Sequence, residues 1–164
     1  MVMVSRLRPL EVNMVFEDRS YKLGDVIDID LELSARRDVV IREGRVDLTC
    51  QEDYEQTVTI PVTRSGSGPG PGSPAITVTG SKQATSNHNE SYPHSSDVFL
   101  SETRLRSGAT SSHNVKLEIG PDLPRHISDP TCSVRQVSWS LVATFDVAQT
   151  RDVAESQPIK VAFV

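Results

Sequence analysis

Aromatic residues are scarce, 5 % of a 164-residue chain with one tryptophan. Carbohydrate- and small-ligand-binding sandwiches display aromatic side chains on a flat face, so such a module is the weaker of two functional readings. Cysteine is nearly absent. Cys50 and Cys132 alone make neither a disulfide framework nor a zinc knuckle, and a bridge between them is the lesser expectation. No apolar run approaches the roughly 20 residues of a membrane-spanning helix. Residues 1–6 (Met-Val-Met-Val-Ser-Arg) lack the apolar core of a secretory signal. A soluble, reduced, cytoplasmic domain is expected. Positive charge is thin as well: the net charge is −5, and Arg6/Arg8, Arg36/Arg37 and Arg104/Arg106 are short, separated clusters. Phosphate-backbone recognition needs denser basic surface, so nucleic acid is not an expected partner. Helical periodicity is missing throughout.

What is present is alternation. Ile27, Ile29, Leu31 and Leu33 alternate with Asp28, Asp30 and Glu32, directly after a Gly24-Asp25 turn. Side chains of a strand point to opposite faces with period two, so this is a half-buried strand. Leu10–Phe16, Val39–Ile41, Val46–Cys50, Val58–Val62, Val115–Ile119, Trp139–Val147 and Ile159–Phe163 repeat the pattern. Gly44 marks a bulge or kink. Pro61 cannot donate to a ladder, which assigns Thr57–Thr63 to a sheet edge. At Arg64 the composition changes: 65–74 is a Gly/Pro/Ser tract that cannot bury enough surface to order itself. With 80–96, polar throughout, it makes a mobile insert over 64–97 carrying one short strand near 75–79. Asp152–Gln157 reads as a polar turn. Nine or ten short strands without a helix define an all-β protein, a single antiparallel β-sandwich domain over residues 1–164, ahead of an up-and-down barrel.

Chemistry is sparse. Asp28, Asp30 and Glu32 line one strand face side by side, as a solvated sheet surface that also discourages edge pairing, rather than a cation cage. His88, Glu90, His94 and Asp97 share the insert without a zinc spacing. Ser95, Ser96 and Asp97 beside His94 lack the rigid setting and oxyanion hole a nucleophile needs. No catalytic, metal or cofactor residue is assigned, and an enzyme is the least supported reading. Asn89-Glu90-Ser91 is a glycosylation acceptor only if exported. Trp139 is expected to anchor the core of the long strand.

The order of these pieces resembles the arrestin-type N-terminal domain, an immunoglobulin-like sandwich. Tyr21, Gly24, Asp25 and Ile27 match its entry into the second strand. Ile41-Arg42 and Val46-Asp47-Leu48 match the next strand loosely. Leu100–Gly108, Val115–Ile119, Pro121–Pro124, Val134–Val147 and Ile159–Phe163 match its second half. The resemblance implies a non-enzymatic scaffold or adaptor whose partners are proteins, met through strand edges and loops. It leaves open a compact protein or the first of two sandwiches. The residues expected to meet a partner are Val58, Ile60 and Val62 on the edge strand, with Arg104 and Arg106 for acidic or phosphorylated groups. Homodimerisation through an exposed edge is a further expectation.

Overall fold

The computed structural model describes residues 8–67 and 75–163. Among them are nine strands and no helix: β1 (Leu10–Phe16), β2 (Ser20–Lys22), β3 (Val26–Ala35), β4 (Val39–Ser67), β5 (Ala75–Leu100), β6 (Thr103–Leu105), β7 (Thr110–Glu118), β8 (Cys132–Val147) and β9 (Val153–Ala162). One sheet has the order β1-β3-β7. The other runs β2-β9-β8-β4-β5, with β6 pairing the start of β4. All pairs are antiparallel except β2 with β9, which is parallel, so the larger sheet is mixed rather than uniformly antiparallel.

The alternation read from the sequence becomes the core. Leu10 and Met14 of β1, Ile27, Ile29, Leu31 and Leu33 of β3, and Val115 and Leu117 of β7 join Val46, Leu48, Leu141, Ala143 and Phe145 from the larger sheet in one buried cluster. Each fully buried Leu, Ile or Phe contributes about 1.5–3 kcal/mol. Trp139 belongs to this interior, 6 % exposed. Gly24 holds φ +90 at the third position of a turn in which Lys22 donates its amide to Asp25 Oδ2 at 2.8 Å. Asp28 and Asp30 lie on the outer face, both accepting from Asn114 Nδ2 (2.6 and 2.8 Å). β3 is the centre of its sheet, so this stripe coats a face and protects no edge.

The main departures concern β4, β5 and β9. Val39 to Ser67 is one 29-residue strand instead of three short ones; its pairing with β5 shifts register at Gly44/Arg45, where the glycine stands, and again at Leu48/Thr49. Residues 80–96, read from composition as a polar connection, belong to the 26-residue β5. Polar side chains do not break a strand whose backbone is paired residue for residue with β4. The segment at 68–74, expected as the hairpin tip, lies outside the described residues. β9 begins at Val153 and absorbs most of the expected turn at Asp152–Gln157; the reversal falls at 148–152, with Gln149 at φ 63.

Candidate interaction surface

β4 has two neighbours only for part of its length. β8 pairs with it up to Gln56↔Cys132, and Thr57 donates its amide to the Thr131 carbonyl at 2.9 Å. Beyond that point, among the described residues, β4 and β5 continue alone as a two-stranded ribbon, register-matched to Ser67↔Ala75. Isolated two-stranded ribbons are marginal in water, since one layer cannot cover its own apolar face.

The face in question is the core face. Val46, Leu48, Cys50, Glu52 and Tyr54 are buried; Val58, Ile60 and Val62 keep the same parity past the end of the sandwich. Val58 is 42 % exposed and Ile60 45 %, while Val62 is half-buried. Ala84, Lys82 and Gly80 stand opposite them on β5. Lys82 is the sole charge in 57–63 and 79–87.

The transition from covered to open face is built by a polar cluster. Glu52, fully buried, accepts a hydrogen bond from the Tyr92 hydroxyl and another from the His126 amide (3.1 Å). The His126 ring lies between two carboxylates, Nδ1 3.2 Å from Glu52 and Nε2 3.4 Å from Glu90. Tyr54 donates to Glu90 at 2.9 Å and stacks between His126 (3.9 Å) and His88 (5.1 Å). Arg125 donates its amide to the Tyr92 oxygen at 2.8 Å and lays its guanidinium 4.0 Å above that ring. Burial and the Glu90 acceptor push the Tyr54 hydroxyl up to about 12; burial is also the main cause raising Tyr92 and the Cys50 thiol. These contacts pin residues 125 and 126 across β4 and β5, so the interior closes at Tyr54 and Tyr92, just before Val58.

The expected partner-binding residues do not converge. Arg104 pairs opposite Val40 at the far end of β4. At about 3.3 Å per residue, Val58 lies on the order of 60 Å along the strand. Arg104 and Arg106 are exposed there. Pro61 does sit where a missing donor costs nothing. Thr57 points its amide away from β5, so alternation aims positions 59, 61 and 63 at the same unpaired edge. His88 and His94 share the inner face of β5, some 20 Å apart along it; His94 Nε2 is 2.9 Å from the Gly120 carbonyl and meets Trp139 edge-on at 5.1 Å. Ser95 accepts from the Gly120 amide. Cys50 and Cys132 are both free thiols.

Sequence reasoning passed over Glu52 and His126. Glu52 could have been found, because it continues the inward register two residues after Cys50. Nothing local marks His126, which reaches Glu52 across 74 residues of sequence.

Two sheets sharing one core, with this strand order and one long hairpin, make an arrestin-like β-sandwich. In structure the chain is similar to Spo0M, a sporulation control protein from Bacillus subtilis, with a TM-score of 0.62 and 12 % identity. The match covers 94 % of this chain and 50 % of that one, so this chain spans about half the length of its neighbour. No protein-family model and no curated protein matches the sequence. Among the described residues no helix is long and apolar enough to cross a membrane.

Proposed function

We propose that the chain is a non-enzymatic protein-interaction module, a scaffold or adaptor of arrestin-like build, acting in the cytoplasm and engaging protein partners through the β4–β5 ribbon. The carrying observation is the core face that continues past the end of the sandwich: Val58 and Ile60 stay exposed on a stretch, 57–63 with 79–87, that holds a single charge. Spo0M is a sporulation control protein, which agrees with a regulatory role for this chain. The carbohydrate-binding alternative loses its main support, since every Trp, Tyr and Phe of the chain is buried or half-buried.

The test is affinity capture from native lysate with the intact chain and with a version in which 57–85 is replaced by Asn-Gly, a two-residue turn suited to closing the hydrogen-bonded pair Gln56↔Ser86. Capture lost with the ribbon and lost again in Val58→Thr/Ile60→Thr supports the reading. Equal recovery from all three removes the ribbon from it.

A further inference from the structure

We propose that the outer edge of β5 pairs with the same edge of a second copy of this chain, antiparallel and centred on Ser86. This rests on the reading of the ribbon as the contact element and specifies its partner.

β5 ends the strand order of the larger sheet, and among the described residues its outer edge meets no further strand. The direction of its free groups follows from Thr57. That residue turns its amide away from β5, and paired residues in an antiparallel ladder point alike, so Thr85 turns away from β4. Register is unbroken from Thr49↔Pro93 to Ser67↔Ala75, so residues 81, 83, 85, 87, 89 and 91 all present N–H and C=O outward. All are exposed, and none is proline. The competing edge, β4 beyond Gln56, lacks a donor at its middle because Pro61 faces outward there.

Charge selects the register. Self-pairing about Ser86 sets Lys82 opposite the partner's Glu90 and, by the two-fold, Glu90 opposite the partner's Lys82. Both are even-numbered positions, which become non-hydrogen-bonded pairs, the type with side chains closest. Glu90 keeps 47 % of its side chain exposed beside its contact to His126. Centring one residue earlier sets Lys82 against His88; one later sets it against Tyr92. Either shift forfeits both ion pairs. In the Ser86 register Gly80 and Ser81 meet Tyr92 and Ser91, small residues where Arg125 crowds the edge. Outward residues 81–91 of the two copies then exchange about a dozen hydrogen bonds. A lone edge lysine normally discourages such pairing; here the same lysine meets a carboxylate of the second copy.

The experiment uses the full chain in sedimentation equilibrium over a concentration series, with Trp139 emission and circular dichroism as checks of folding. Dimerisation is expected. Lys82→Glu is expected to weaken it at least about tenfold by placing two carboxylates opposite each other twice. Thr85→Pro removes an outward donor without touching β4 pairing and should abolish it, whereas Thr59→Pro, on the already blocked edge, should not. In a Cys132→Ser background, Ser86→Cys should cross-link to its copy on mild oxidation, and Thr59→Cys should not. A wild-type chain that stays monomeric throughout overturns the proposal, as does a dimer indifferent to Lys82→Glu and Thr85→Pro. A monomer that still captures a foreign protein through the ribbon rejects self-pairing and leaves the interaction-module reading standing.

Discussion

Replacing Glu52 by alanine is expected to cost the fold about 3–5 kcal/mol, the range for removing one partner from a buried charged cluster. Three groups lose their acceptor at once: the Tyr92 hydroxyl, the His126 amide and the His126 ring. A buried polar group left unpaired costs about 1–3 kcal/mol, and the Tyr92 oxygen still accepts from Arg125, which moderates the sum. In a domain of this size, that loss lowers the melting temperature by roughly 10 °C. Thermal and urea unfolding followed by circular dichroism measure it, and m-values check that the unfolded state is unchanged. Tyr92→Phe alone should cost about 1–2 kcal/mol, and the double variant much less than the sum, since the second change removes a group the first has already orphaned. A Glu52→Ala cost below about 1 kcal/mol, or strict additivity with Tyr92→Phe, would refute the account of a closed cluster pinning the 125–126 segment.

Alkaline pH should probe the same region through Tyr54. Its folded-state pKa lies at about 12, above the ordinary 10.0, so its contribution is complete below pH 10 and declines as pH climbs toward 12. Tyr54→Phe should flatten that decline in unfolding midpoints taken from pH 9 to 12; an unchanged slope counts against it. Gly44→Ala should destabilise by about 1–3 kcal/mol, because the added carbon would lie 3.0 Å from the Leu100 Cβ and 3.1 Å from the Phe99 and Phe145 rings. Denaturant titration decides, and a neutral result would mean that the β4 irregularity gives way without strain. Trp139 should emit at short wavelength and resist acrylamide quenching, being 6 % exposed with an unbonded indole nitrogen. A red-shifted, quenchable spectrum would place it in water and reopen the ligand-binding alternative.

Much of the interior was legible residue by residue. Parity alone assigned Ile27, Ile29, Leu31 and Leu33 to one face, and Trp139, Leu141, Ala143, Phe145 and Val147 likewise, because a strand's side chains must alternate whatever it packs against. Pro61 and Gly44 were readable for the same reason: a missing donor or a missing Cβ constrains the chain wherever it occurs. Residues 80–96 misled because composition reports the surface a segment shows to water, not the ladder its backbone joins. Arg104 and Arg106 were grouped with Val58, Ile60 and Val62 on charge and hydropathy, and neither property carries distance.

The local order of faces and turns was therefore written in the chain, since it follows from backbone geometry within a few residues. Only the tertiary structure decided where β8 stops beside β4, that His126 closes on Glu52 from a distant loop, and that the apolar parity of β4 outruns its cover. Those outcomes depend on which separated segments meet, and no local pattern encodes the meeting.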